Sequence, residues 1–257
     1  MSSKPTEIYR REYRVSVSDV DPRRELRLSA LFRLFQEAAT EHAALLGAGT
    51  HATLDRGLLW VVTTQQAQMT RMPRYEEDIV LTSWPGKPTH AFFPRYYMVK
   101  TLAGEPLVSG SALWVLMDAQ SRKMILPRDG LSGLEGIATG EEPDLPALPK
   151  LGELTDEGVF TVPPSYLDLN GHMNNIRYFD LAEDFLPPFP ETDGLRRATI
   201  KYGSEVRAGE KLTLRWGGEE KARFLLGEAA GKKVFRLRIE YEPREAGANK
   251  EKGGGAK

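Results

Sequence analysis

One pattern occurs twice, and it restricts the possible folds more than any single residue does. From about residue 10 to 117 the chain reads as a strand, a long amphipathic helix and then four strands; from about 158 to 242 the same order returns. In the first copy Tyr13, Val15 and Val17 alternate with Arg14, Ser16 and Ser18, the period of two expected of a half-buried strand. From Ser29 to about Leu46 the period becomes helical. Leu31, Leu34, Phe35, Ala38, His42 and Leu45 fall on one stripe, with Ser29 placed as N-cap and Gly47 and Gly49 as terminators. Strands are expected at about 58–70, 78–84, 91–101 and 107–117. The second copy predicts a strand at 158–162 and a helix at about 174–186 that turns Ile176, Phe179, Leu181, Ala182 and Phe185 inward. Strands at about 196–206, 210–217, 221–228 and 233–242 complete it. Individual residues recur too: Asp78-Ile-Val-Leu-Thr-Ser-Trp84 has its counterpart in Glu210-Lys-Leu-Thr-Leu-Arg-Trp216.

A helix stripe must be buried, and an antiparallel sheet can bury it by wrapping around it. The expected fold class is therefore α+β, with two antiparallel sheets, each wrapped around a long central helix. The expected divisions are an N-terminal unit at 1–130, a connection at 131–155, a C-terminal unit at 156–245 and a disordered tail at 246–257. The connection holds several Pro and Gly residues and little periodicity, and a structureless loop that long inside one compact domain is uncommon.

Composition narrows the function. With 257 residues, 40% of them hydrophobic, there is enough material for one large core or two modest ones. Lys and Arg total 35 against 36 Asp and Glu, interspersed, so no nucleic-acid partner is indicated. There is no cysteine, so disulfides, thiolate metal sites and a thiol nucleophile are excluded. No apolar run approaches the ~20 residues of a membrane span, and the N-terminal residues lack a signal-peptide core; a cytoplasmic location is expected.

The densest chemistry lies in Asp168-Leu-Asn170-Gly-His172-Met-Asn174-Asn175, immediately before the second helix. In extended chain, alternate side chains share a face, so Asp168, Asn170 and His172 can converge near free backbone N–H groups of a helix start. That set suits addition of water to a carbonyl or thioester. Other readings of the same residues stay open. Asp-x-Asn-Gly is good turn chemistry, Asn174 or Asn175 suits an N-cap, and Glu205 reads as a strand glutamate before the Arg207-Ala-Gly209 turn. No residue is spaced along the sequence to join His42, His51 or His90 in a functional group, and no metal or cofactor site is expected.

These motifs, with Trp60-Val61-Val62-Thr63, Ser111-Ala-Leu-Trp114-Val-Leu-Met117 and Tyr202-Gly-Ser-Glu205 in the same order, resemble the acyl-[acyl carrier protein] thioesterases of plants and bacteria over roughly 10–242. The resemblance implies a tandem double hotdog, with an acyl tunnel in the N-terminal hotdog and catalytic residues Asp168, Asn170, His172 and Glu205 in the C-terminal one. It also implies hydrolysis of a fatty acyl thioester and, as partner, an acyl carrier protein bearing the chain on 4'-phosphopantetheine. A homodimer is compatible with it. One departure is that family members often carry Cys after the glutamate, where this chain has Val206. The chain also lacks the transit segment of plastid members, which suits a bacterial cytoplasmic origin. Two routes stay open: Glu205 activates water with His172 serving the leaving sulfur, or Asp168 attacks and forms an anhydride that Glu205 helps to resolve. Rival activities are an acyl-CoA thioesterase, a hotdog hydratase and a non-catalytic acyl-binding module. Arg71, Arg74, Arg122, Lys123, Arg196, Arg197 and Lys201 are candidate contacts for an acidic carrier.

Overall fold

The computed structural model describes residues 8–126 and 136–244; the expected tail at 246–257 lies outside them. The N-terminal half runs β1 (Tyr9–Arg14), α1 (Leu28–Leu45), α2 (Thr50–Leu54), β2 (Leu58–Met69), β3 (Asp78–Pro85), β4 (Phe93–Thr101) and β5 (Pro106–Asp118), and β6 (Met124–Ile125) pairs back on β5. The C-terminal half runs β7 (Asp156–Thr161), α3 (Arg177–Phe185), β8 (Asp193–Tyr202), β9 (Lys211–Glu219), β10 (Ala222–Ala229) and β11 (Lys232–Pro243). The short α2 and β6 have no counterpart in the sequence reading, because five and two residues carry too little periodicity to register.

The strand order is β1-β3-β4-β5-β2-β8-β11-β10-β9-β7. Each half therefore repeats one internal order, with its first strand at the outer edge and the strand after its helix at the centre. Where two sheets are expected, hydrogen bonding makes one. β2 and β8 pair antiparallel from Thr64 opposite Lys201 to Gln68 opposite Arg197. Left apart, each would be an edge strand with a row of unpaired backbone groups, and pairing removes both edges. Side chains reinforce the seam. Tyr202 donates its hydroxyl to Gln65 Oε1 at 2.8 Å and Thr199 donates to Gln66 Oε1 at 3.2 Å.

The core is also continuous across the halves. Phe32 of α1 stacks on Phe179 of α3 with centroids 4.1 Å apart, and Phe35 stacks on Tyr97 of β4 at 4.3 Å. Such pairs add about 0.5–1.5 kcal/mol beyond the area they bury. Gly110 of β5 makes room for this packing, since a Cβ there would lie 2.5 Å from the Phe35 ring.

Two helix boundaries differ from expectation. Ser29 is inside α1, and the N-cap is Arg27, which makes no side-chain cap. Burial of Leu26 and Leu28, and the Arg27 Nε bond to the Val20 carbonyl at 3.1 Å, anchor that end instead. Leu45 is exposed because the buried stripe ends one turn earlier, at His42. The second helix is not long. It spans nine residues, and Asn174 and Asn175 belong to the loop before it.

The described part of the connection is pinned along the sheet. Ile137 N–H donates to the Pro85 carbonyl at 2.9 Å, Ser111 Oγ to the Asp144 carbonyl at 2.6 Å, and Thr155 N–H to the Trp216 carbonyl at 2.9 Å. Among the described residues no helix is long and apolar enough to cross a membrane.

Candidate active site

The run from Asp168 to Asn175 is a tight loop, not extended chain. Asp168 Oδ1 accepts the backbone N–H groups of Asn170 at 2.8 Å and His172 at 3.3 Å, and Asp168 N–H donates to the His172 carbonyl at 2.8 Å. Gly171 closes the loop at φ +75°, a left-handed conformation that costs a residue with a Cβ roughly 1–2 kcal/mol. Asn174 Oδ1 accepts the Ile176 N–H at 3.1 Å and starts the turn into α3. Met173 N–H donates to the Val206 carbonyl at 2.9 Å, which ties this loop to the segment carrying Glu205.

Glu205 is not a strand residue. β8 ends at Tyr202, and the chain stays against β11 only through Gly203 and Ser204, whose N–H groups donate to the Val234 and Lys233 carbonyls. A Cβ at Gly203 would lie 2.3 Å from the Lys233 carbonyl oxygen, so glycine permits this close crossing. Beyond it Glu205 is freed toward the Asp168 loop. Its Oε2 lies 3.5 Å from His172 Nε2, with the imidazole mostly buried and the carboxylate half exposed. Val206, the residue after Glu205, is buried and carries no reactive group.

The four expected site residues divide into two pairs. Asp168 and Asn170 line a cavity of about 310 Å³; His172 and Glu205 face each other beside it but are not among its lining residues. The bond from Asp168 goes to the backbone of His172, not its ring, so the carboxylate shapes the loop and the group near Nε2 is Glu205. Most of the cavity wall comes from the N-terminal half: Ala39 and Ala43 of α1, Trp60 of β2, Phe93 of β4 and Trp114 of β5. Trp60 is fixed there by an Nε1–H bond to the Ala48 carbonyl at 2.9 Å. Arg95 is the charged exception. It is buried, its Nη1 lies 3.2 Å from His42 Nδ1 and 3.1 Å from Ser83 Oγ, and burial holds its guanidinium below its ordinary range.

Two neighbours of the site carry no local sequence signal for that position. Tyr178, buried in the first turn of α3, has its phenol pushed well above its ordinary value, first by burial and then by the charges of Glu205 and Asp168. Arg122 grips Glu205 with both nitrogens, Nη1 to Oε1 at 3.3 Å and Nη2 to Oε2 at 2.9 Å. Among the described residues no group of three His, Asp or Glu is placed to hold a metal ion.

An antiparallel sheet with few helices, an acid and an amide lining a cavity of mixed polarity, and an imidazole of the same loop paired with a second carboxylate fit a thioester hydrolase of the hotdog fold. The chain belongs to the acyl-ACP thioesterase family: residues 6–129 match the Acyl-ACP thioesterase N-terminal domain and residues 153–243 the C-terminal domain. A curated relative, dodecanoyl-[acyl-carrier-protein] hydrolase of Cinnamomum camphora, is 27% identical over 261 residues, covering 92% of this chain and 68% of that protein. A palmitoyl-acyl carrier protein thioesterase of Arabidopsis thaliana is 24% identical over 265 residues, covering 92% and 64%. An acyl-ACP thioesterase structure from Bacteroides thetaiotaomicron superposes with a TM-score of 0.81 at 23% identity, covering 92% of this chain and 98% of that one. The 12:0-ACP thioesterase of Umbellularia californica does so at 0.78 and 22%, covering 95% and 100%.

Proposed function

We propose that this protein hydrolyses the thioester of fatty acyl groups held on acyl carrier protein, releasing the free acid and the carrier thiol. The observation that carries this is the joint site. Asp168 and Asn170 line a cavity whose other wall carries Ala39, Ala43, Trp60, Phe93 and Trp114, and the His172–Glu205 pair stands next to them. The acyl chain occupies the cavity and its carbonyl lies toward the Asn170 amide. Glu205 orients water and takes its proton, the water oxygen adds to the carbonyl carbon, and the C–S bond breaks as His172 supplies a proton to the leaving sulfur. A second route gives Asp168 the attack, with Glu205 directing the water that resolves the anhydride. Neither route uses protein sulfur, since the chain has no cysteine.

The repeated strand order supports a tandem double hotdog, divided at 1–130 and 156–245 with 131–155 as the connection. A cytoplasmic location suits a chain free of cysteine.

Thiol release from matched acyl-carrier-protein and acyl-CoA substrates tests the activity and the carrier together. Faster release from the carrier protein is expected; equal rates make it a general acyl thioesterase, and no release makes it a binding module. Single turnover in oxygen-18 water tests the covalent route, since label entering Asp168 requires it. Label confined to the product acid fits direct attack or opening of the anhydride at the acyl carbon, and mass spectrometry of acid-quenched enzyme for an acylated Asp168 decides between them.

A further inference from the structure

Glu205 makes its strongest contact with the other half of the molecule. Arg122 sits in the turn between β5 and β6, and its planar fork meets both carboxylate oxygens, at 3.3 and 2.9 Å. A bidentate pair of this kind restricts rotation of the carboxylate plane as well as its position. That matters here because Glu205 is 44% exposed and its backbone has already left β8, so neither packing nor strand pairing fixes the side chain.

The turn that presents Arg122 is itself well braced. Asp118 Oδ1 accepts the N–H groups of Gln120 at 3.2 Å and Ser121 at 2.6 Å and the Ser121 hydroxyl at 2.7 Å, and Arg122 N–H donates to the Asp118 carbonyl at 3.0 Å. Arg122 is held at φ +57°, where a side-chain-bearing residue is uncommon. A guanidinium presented from a hydrogen-bonded turn is a reference against which an exposed carboxylate can be set. With Oε2 shared between Arg122 Nη2 and His172 Nε2, the clamp leaves Glu205 facing the imidazole.

We propose that Arg122 is a positioning residue for the reaction, clamping Glu205 from the N-terminal half so that its Oε2 stays directed at His172. This rests on the reading of Glu205 as a participant in thioester hydrolysis. It makes the reaction centre a joint product of both halves, and it assigns a role to an arginine that would otherwise count among surface cations.

Thiol release by Arg122→Ala, Arg122→Lys and Glu205→Gln tests it, with thermal denaturation of each variant. Arg122→Ala is expected to lower kcat roughly 10²-fold, the scale of a misplaced catalytic group, with KM within about twofold of wild type and Tm unchanged. Arg122→Lys, which keeps the charge but not the fork, is expected to fall between. Added ethylguanidinium is expected to raise kcat of Arg122→Ala and leave Glu205→Gln unaffected. An unchanged kcat in Arg122→Ala overturns the proposal, as does a raised KM at constant kcat, which would make Arg122 a substrate-binding cation. A loss matched by a lower Tm and not rescued by ethylguanidinium also overturns it and makes the pair a structural strut. If Arg122→Ala does not fold, the lysine variant decides, wild-type kcat there overturning the clamp. Glu205→Gln separates this proposal from the one beneath it. Full activity in that variant removes Glu205 from the reaction whatever Arg122→Ala does; an inactive Glu205→Gln beside a wild-type Arg122→Ala removes only the clamp.

Discussion

His172 Nε2 stands 3.5 Å from Glu205 Oε2, and the two residues reach that distance from separate loops, one before α3 and one after β8. A pair acting together on one proton path loses most of its effect when either member is removed. His172→Ala and Glu205→Gln are each expected to lower kcat roughly 10²–10⁴-fold. The double variant is expected to be little worse than the weaker single one, since groups acting as a unit are strongly non-additive. Thiol-release kinetics on the four proteins measure this, and costs that simply add would show that the two act independently.

Asp168 has a loop to hold as well as a charge to offer. Asp168→Asn keeps an acceptor oxygen for the Asn170 and His172 N–H groups, so its stability is expected within about 0.5 kcal/mol of wild type. Asp168→Ala leaves those partly exposed donors to water and is expected to lose roughly 0.5–1.5 kcal/mol. Thermal denaturation reads the stability and kcat reads the charge. If Asp168→Asn is fully active, the carboxylate has a loop-forming role only.

Ala43 lies on the α1 side of the cavity, where a larger side chain can enter only by taking space from an acyl chain. Ala43→Phe is expected to lower kcat/KM for the longer acyl chains more than for the shorter ones, by roughly 10-fold or more per excluded methylene pair. A chain-length series on carrier protein checks it. A uniform fall across all lengths would place the chain elsewhere.

Arg71 and Glu77 form a fork at 2.9 and 2.6 Å, so the Arg71 charge is already engaged within the fold. Burial opposes the Glu77 charge, but bonds from Arg71 and the Arg74 N–H outweigh it, and its carboxyl titrates below the ordinary value of 4.5. The stabilisation is therefore fully present above the unfolded value and fades as pH falls through the lower folded one. Glu77→Gln is expected to lose roughly 1 kcal/mol near neutral pH, after allowance for solvent screening, and to match wild type in strong acid. Denaturant midpoints across pH test it; a constant gap between the two proteins would show that the ionised carboxylate is not responsible.

Most element types were readable from local pattern, because alternation and helical period report which face is buried. Strand ends moved by a few residues, most at β1, which stops at Arg14 and leaves Val17 exposed, and at β8, which stops at Tyr202 and leaves Glu205 outside the strand. The Asp168 loop was visible as a motif, but its shape was not. An extended run and a tight loop share one composition, and the choice depends on Gly171 at positive φ and on Met173 docking on Val206. Arg122 could be noticed only as one cation among several, since nothing near it in sequence foretells a partner 83 residues away.

What the amino-acid order determined alone was the twice-repeated unit, the buried stripe of α1 and the residue types of the site, because these follow from side-chain period and chemistry over short spans. Only the tertiary structure decided that the two units share one sheet and one core, that Glu205 leaves its strand to meet His172, and that the N-terminal half supplies most of the cavity wall and the arginine on Glu205. The reason is physical. Backbone pairing along β2 and β8 uses groups common to every residue, and distant side chains meet only after the whole chain has packed.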